Sequence, residues 1–466
     1  MDLTSLKALE QRVRHELAFT DYFLDSWVIP SQADVHQVVI IGAGMAGLAA
    51  AFALRQANIS QFKLFDAYPQ GVEGPWCHYA RMKILRSPKQ LTGPAYHFPS
   101  LTFRAWFEAQ WGEKAWTELG KIPTSVWMDY LRWFRKVLQF PIQNNTKLVK
   151  IEPANNLLKL TLNHAGAIEH ILTKKLVLAT GREGFGGARM PAFVQNLPKT
   201  CYAHTNEEIC FAELAGKRVC IIGAGASAFD AAATALENHA QEVMLVLRRK
   251  HIPRVNKSAS VAYYGYNEGF YSLPDEAKYL FFTKAREEGT PPPFEALDRI
   301  KACANFSIKA HSLIQQVQLK DKAIEIKTNR EQFQCDYLIL ATGFNIDGTQ
   351  QAEISPFIDQ IFLWKDRISE SKYGNFPYLG PHFEFLEKYP QNAPFLKHIY
   401  CFNYAATLSH GLISSDIPGI GVGAQRLANG IATDLFTENW TDYFNQFQEF
   451  RKPEFDEKNY PWIVEN

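Results

Sequence analysis

Residues 38–54, VVIIGAGMAGLAAAFAL, constrain this 466-residue chain more than any other stretch. Four β-branched residues in a row read as a buried strand, and the alanine-rich run after Met45 reads as a helix. Between them Gly42, Gly44 and Gly47 set out G-x-G-x-x-G. The first glycine permits a tight turn, the second lets backbone approach a pyrophosphate, and the third lets helix and strand pack closely. The helix N-terminus then offers unpaired N–H groups and a partial positive charge to that phosphate. Asp66 closes a second apolar run, 62–65, where an acid is placed to meet a ribose hydroxyl. A membrane span over 38–54 is disfavoured, because the run is short and glycines break it where a turn is needed.

The length allows roughly two or three domains. A net charge of +1 argues against a general nucleic-acid or membrane surface, which leaves small molecules as the expected partners. The seven cysteines (Cys77, Cys201, Cys210, Cys220, Cys303, Cys335, Cys401) form no C-x-x-C. Such a dispersed, odd set suggests free thiols in a reducing compartment. The histidines make neither H-E-x-x-H nor a zinc-spaced cluster with cysteine, so no metal is expected. Asp2, Glu10, Glu16, Asp21 and Asp25 break any targeting signal at the start, and a cytoplasmic protein is expected.

Leu6, Leu9, Val13 and Leu17 form the stripe of an amphipathic helix within 3–27. It should dock on the body of the protein, with a lid or a homodimer contact as alternatives. GVEGPW at 71–76 is a loop in which Trp76 suits a cofactor contact and core packing equally. The basic segment 81–94 interleaves Arg81, Lys83, Arg86 and Lys89 with apolar residues, which suits a wall of an anion-binding cleft. Val126, Tyr130, Trp133, Phe134 and Val137 follow helical spacing and read as core. Residues 146–172 alternate as a small antiparallel meander. The strand KLVLATG at 175–181 returns as YLILATG at 337–343, an internal echo that brackets an insertion.

Inside that bracket Gly223, Gly225 and Ala228 form a second fingerprint with Ser227, and alanine at the third position is a variation the motif allows. Its second strand ends in Arg248-Arg249-Lys250 where the first unit has Asp66. Arginines there accommodate a 2′-phosphate, whereas an acid hydrogen-bonds a ribose diol. The first unit should therefore take FAD and the second NADPH, so that reductant and flavin meet. Residues 263–271 and 291–293 read as loops bordering a pocket. Beyond the second A-T-G, Asn403, His410 and Asp416 lie near a glycine-rich turn, 415–423, feeding a helix over about 424–436.

The paired fingerprints, the two A-T-G strands and the Trp76 loop resemble the class B flavoprotein monooxygenases. That family carries a phenylalanine-glycine stretch leading to a histidine; His204 fits the histidine, but Pro198-Lys199 stands where the glycine is expected. The resemblance covers roughly 36–435 and implies an α/β fold of two Rossmann-like dinucleotide-binding domains with an N-terminal helical extension at 1–35. The FAD domain would be discontinuous, 36–180 and 340–466, with the NADPH domain inserted at 181–339. It further implies that Gly42, Gly44, Gly47 and Asp66 hold FAD, with Trp76 and the Ser87-Pro88-Lys89 loop nearer the ring, and that Thr180, Gly181, Thr342, Gly343 and Asp416 are also cofactor-binding. His204, Thr205, Gly223, Gly225, Ser227, Ala228, Arg248 and Arg249 would serve NADPH. Lys89, Asn403 and His410 are the expected polar groups facing the flavin, with a satisfied core histidine as the alternative for His410. The implied reaction uses molecular oxygen, through a flavin C4a-(hydro)peroxide, to hydroxylate a small substrate. Residues 74–111 are similar to a branch that contains a flavoprotein urate hydroxylase, so urate or a related purine is the expected substrate. Amine or amino-acid N-hydroxylation, hinted at by Ser409-His410-Gly411, and Baeyer-Villiger oxygenation are alternatives. A disulfide reductase would need two redox cysteines near the first helix, and Cys77 is the only cysteine before Cys201. A non-catalytic redox or nucleotide sensor has no feature in its favour.

Overall fold

The computed structural model describes residues 5–462 apart from 21, 23, 24, 31–33, 370 and 461. The first fingerprint opens on the strand Val35–Ile41, which is buried from Gln37 onward. Its β-branched residues fill both faces of a parallel sheet, as a doubly covered strand requires. It runs parallel to Phe62–Phe65 on one side and to Ala167–Leu178 on the other. The sheet has seven strands in the order Ile142–Gln143, Phe62–Phe65, Val35–Ile41, Ala167–Leu178, Leu157–His164, Thr146–Ala154, and Ile399–Tyr400 also pairs with Ala167–Leu178.

Ala167–Leu178 is long enough to serve two partners. Its later residues pair in parallel with Val35–Ile41, and its earlier ones pair antiparallel with Leu157–His164. The expected meander is thus welded to the parallel sheet by one continuous strand. Its hairpins turn at Asn155 and Ala165, where φ is +56° and +49°.

The second sheet is parallel throughout, in the order Phe306–Lys309, Glu242–Val246, Arg218–Ile222, Tyr337–Leu340, Tyr202–His204. Helices Ala226–Glu237 and Phe294–Ile300 cover one face through Ala228, Ala232, Ala296 and Ile300. An antiparallel sheet of Ile314–Lys320, Ala323–Thr328 and Gln332–Cys335 covers the other through Val317, Ile324 and Ile326. The chain leaves the first sheet and returns to it through two short strands, Gly186–Ala188 and Phe344–Ile346, which pair antiparallel. A Cβ on Gly186 would lie 2.1 Å from the Asn345 carbonyl oxygen, so this close crossing needs glycine.

Helix Leu6–Ala18 buries Leu9, Val13 and Leu17, and Ser100 donates a 2.7 Å hydrogen bond to Glu16. The other expectations about 1–35 fall partly on residues outside those described. Helix Thr124–Leu138 buries Tyr130, Trp133 and Phe134 as core. Two expectations need correction. Residues 264–269 form a short helix, Tyr264–Gly269, rather than a loop, since Tyr266 packs its ring against Phe270 and Phe281. The C-terminal helix begins at Ile420, so Gly421 and Gly423 lie within its first turn. They serve packing: a Cβ on Gly421 would sit 2.4 Å from Tyr96 Cβ, and one on Gly423 2.0 Å from the Ile413 carbonyl oxygen. Among the described residues no helix is long and apolar enough to cross a membrane.

Candidate functional site

The first glycine turn is built for close approach. Gly42 has φ of +101°, and a Cβ there would lie 2.4 Å from the Ala179 carbonyl oxygen of the first A-T-G. A Cβ on Gly47 would lie 1.8 Å from the carbonyl oxygen of Gly42, which locks helix against strand. Gly44 caps helix Met45–Gln56 without any side-chain hydrogen bond, so the first N–H groups remain for an anion. The 71–76 loop lies across this turn, with Gly74 Cα 3.5 Å from where a Gly44 Cβ would be. That loop is held by Glu73, which is buried, accepts from Gly71 N–H and Asn144, and pairs with Arg135.

Asp66 accepts from the N–H of Ala43 (2.7 Å) and of Tyr68 (2.8 Å). Burial pushes its pKa up, and the two N–H groups pull it back. The acid therefore splints the glycine turn itself. Trp76 meets Trp127 edge to face at 6.5 Å, and its buried indole N–H has no partner. The bare helix end, the crowded glycines and this free donor fit a dinucleotide such as FAD.

Thr180 accepts a 3.1 Å hydrogen bond from Asn403, whose side chain also takes the N–H of Ala405. Asn403 is fully buried and acts as a splint between the A-T-G and the C-terminal segment. His410 is fully buried as well, stacked 4.7 Å from Tyr271 and 4.0 Å from Phe383, with its Nε2 3.0 Å from the Gly380 carbonyl oxygen. Burial lowers its pKa well below the usual histidine range, which keeps it neutral. Lys89 donates to the carbonyl oxygens of Trp116 and Leu119, both at 2.5 Å, and so caps the end of helix Phe103–Glu118. Lys89, Asn403 and His410 each spend polar groups on protein partners.

Asp416 does lie among charges. Burial raises its pKa, opposed chiefly by Arg182, then by the Ile417 N–H and Arg86. One guanidinium nitrogen of Arg86 is buried without a partner. Arg81, read as a wall of an anion cleft, instead donates to the carbonyl oxygens of Thr205 (2.5 Å) and Glu207 (2.8 Å) and lies over the Phe211 ring. It straps the segment that carries His204 to the first half of the molecule. His204 itself is buried, 2.5 Å from Asn206, and Thr205 extends the strand register through the Leu340 carbonyl.

The second turn repeats the first with one difference. A Cβ on Gly223, where φ is +139°, would lie 2.3 Å from the Ala341 carbonyl oxygen, yet one on Gly225 would meet nothing within 4 Å. Ala228 is fully buried in the place of the third glycine, and Ser227 is exposed beside the turn. Thr342 donates to the Arg189 carbonyl, and the carbonyl of Gly343 accepts from Arg189 N–H.

The two arginines after the second strand differ. Arg249 donates to the carbonyls of Arg286 (3.2 Å), Glu287 (2.7 Å) and Glu288 (3.2 Å), capping helix Asp275–Glu288. Arg248 is exposed and makes no such bond. Both line a cleft of about 530 Å³ together with Arg189, Arg286, Lys372, Phe344, Asn345 and Tyr404. Sequence reasoning missed Arg182, Arg189, Arg286 and Tyr404. Arg182 had a signal, since it directly follows the first A-T-G; Arg286 lies on a helix with no motif. All seven cysteines are free.

The pyridine nucleotide-disulphide oxidoreductase family matches residues 36–266. The FAD-dependent urate hydroxylase of Xanthomonas campestris pv. campestris is 37% identical over 447 residues, 93% of this chain and 94% of that protein. Among solved structures, ornithine hydroxylase from Pseudomonas aeruginosa aligns with a TM-score of 0.67 at 15% identity, covering 86% of this chain and all of that one. An ornithine N-hydroxylase from Kutzneria sp. 744, solved with reduced FAD, NADP+ and L-ornithine, aligns with a TM-score of 0.67 at 14% identity over 86% and 99% of the two chains. The two Rossmann-like sheets, joined by paired crossover strands, are the fold of flavin-dependent oxidoreductases with two dinucleotide sites. Within that class, the chain belongs to the class B flavoprotein monooxygenases, FAD enzymes that include the urate hydroxylase.

Proposed function

We propose that this chain is an NADPH-dependent urate hydroxylase. The observation that carries the reading is the near full-length similarity to the urate hydroxylase, 37% over 93% of the chain. The N-hydroxylases resemble it at 14–15% identity, which speaks for a common fold alone.

In this reading, the first fingerprint, with 36–180 and 340–466, holds FAD, and 181–339 receives NADPH. The helix N-terminus beyond Gly44 takes the pyrophosphate, while the Trp76 loop covers it. Thr180, Gly181 and Asp416 lie toward the ring. Bound FAD supplies a group that accepts hydride from the reductant and, once reduced, activates oxygen for transfer of one atom to substrate. The protein's share is placement. Gly225 and Ser227 leave an open groove for the reductant, and Arg248 offers an unpaired cation to a 2′-phosphate. Arg81 holds the His204-Thr205 segment so that groove and flavin side keep their distance. Buried aromatic residues around His410 limit water.

The test is NADPH consumption by the yellow holoenzyme across purines, amines, amino acids and ketones, scored as substrate lost per NADPH. Urate should couple consumption to its own loss, with little hydrogen peroxide. Coupling by an amine or ketone, with urate inert, would overturn the substrate assignment.

A further inference from the structure

Arg286 lines the cleft together with Tyr404, and Arg182 lies against the same Tyr404 ring. Arg81, Arg189 and Arg249 spend their N–H groups on carbonyls. Among the described residues, the side chains of Arg182 and Arg286 donate no hydrogen bond and form no ion pair. Their neighbours are aromatic rings: Tyr404 lies 5.2 Å from each guanidinium, and Phe282 lies 4.9 Å from Arg286. Tyr404 in turn donates its N–H to the Gly181 carbonyl oxygen at 3.1 Å. The pair is thereby hung on the first A-T-G, at the flavin end of the cleft, while Arg248 lines the same cleft from the other nucleotide unit.

The Arg286 side chain is half-buried with no hydrogen-bond or ion-pair partner among the described residues, and Arg182 adds positive charge beside it, so an anion entering there gains from both. Burial, with Arg182 and Arg189 nearby, lowers the Arg286 pKa to about 10, so it is still charged at neutral pH. Guanidinium is planar, presents paired donors and is weakly hydrated, which matches the edge of a flat, oxygen-rich anion better than a point charge would.

We propose that Arg286, which lines the cleft beside Tyr404, together with Arg182 against the same ring, forms the subsite that takes the substrate as a planar organic anion. The assignment rests on the oxygenase reading above and adds the recognition chemistry. A phosphate of the reductant is the competing occupant, and the test separates the two.

The FAD-loaded holoenzyme is titrated with urate, a monoanion at neutral pH, and flavin absorbance reports binding without turnover. The same protein is titrated calorimetrically with 2′,5′-ADP as the 2′-phosphate probe. Arg286→Gln should weaken urate by roughly tenfold or more, the range of one charge-assisted hydrogen bond, and leave 2′,5′-ADP within about twofold. Arg248→Gln should do the reverse. If Arg286→Gln does not retain FAD, Arg182→Gln carries the same expectation. Equal weakening of both probes would assign the pair to phosphate and overturn the subsite, as would unchanged urate binding. If urate fails to bind the parent while oxonate or benzoate binds in an Arg286-dependent way, the subsite stands and urate falls. If no planar anion perturbs the flavin, the subsite falls.

Discussion

Arg248 and Arg249 are adjacent, identical in type and on the same cleft, yet the structure gives them different work. Arg249→Ala removes three hydrogen bonds, at 2.7, 3.2 and 3.2 Å, from the carbonyls that end helix Asp275–Glu288. At a partly exposed helix end each is worth about 0.5 kcal/mol net, so roughly 1–2 kcal/mol of stability should go. That corresponds to a fall of about 2–6 °C in the midpoint of a unit this size. Arg248→Ala removes no side-chain hydrogen bond or ion pair among the described residues and should leave the midpoint alone. It deletes instead the free cation offered to a 2′-phosphate, worth about 1.5–3 kcal/mol, or roughly 10–150-fold in NADPH affinity. NADH affinity should not change. The assays are thermal unfolding of the holoenzyme, and anaerobic flavin reduction titrated with NADPH and with NADH. If Arg249→Ala abolishes the NADPH preference at an unchanged midpoint, while Arg248→Ala keeps it, the division of labour is wrong.

Three further outcomes are expected. Gly47→Ala drives a methyl into the Gly42 carbonyl oxygen and should cost more than about 3 kcal/mol, giving protein with little bound flavin by its absorbance ratio. Arg81→Ala frees the carbonyls of Thr205 and Glu207 and should slow NADPH-driven flavin reduction roughly tenfold at normal FAD content. Arg81→Lys should rescue only in part, because Thr205 and Glu207 are met by two different guanidinium nitrogens; full rescue would refute the strap. Burial, then Glu295, lifts Asp230 from 3.8 to about 7, with Arg299, Arg86 and Arg81 opposing. The folded state thus keeps a proton that the unfolded state sheds near pH 4, and this contribution to stability is lost as pH rises from about 4 to 7. Asp230→Asn should therefore gain about 1–3 kcal/mol at pH 8 and almost nothing at pH 4.5, read as the difference in midpoint between variant and parent. An equal gain at both pH values would sink this account.

Local grammar carried much of the fold. The glycine turns, the repeated A-T-G strands and the 155 and 165 hairpins are written in residues that are neighbours in the chain, so their conformations were legible. The basic loop was not. Arg81, Arg86 and Lys89 look alike in sequence, yet the first binds carbonyls near Thr205, the second faces Asp230 and Asp416, and the third caps a helix end. What separates them is a backbone oxygen 124 residues away in one case and 30 in another, which no local pattern encodes. The same applies to Arg286, whose role follows only from where helix Asp275–Glu288 docks. Asp66 illustrates a finer limit: its position was legible, but the Ala43 N–H that its carboxylate accepts was not.

The two cradles also differ in a way that bears on how the reaction is organised. Around Gly44 the 71–76 loop approaches to within van der Waals distance of a would-be Cβ, and Glu73 pins that loop through Arg135, Asn144 and the Gly71 N–H. Around Gly225 a Cβ would meet nothing within 4 Å, and the turn is exposed. A ligand in the first cradle is roofed by a loop whose opening would break a buried ion pair, a costly event. A ligand in the second meets no such roof and can leave by the way it came. Identical turn chemistry is thus tuned by what lies above the second glycine, which under the proposed function favours a retained FAD in the first cradle and an exchanging reductant in the second. On this argument Glu73→Gln, which weakens the pin without touching the glycines, should speed FAD loss on dilution by roughly tenfold or more while leaving NADPH affinity unaltered. Unchanged FAD release would mean that the roof is not what retains it.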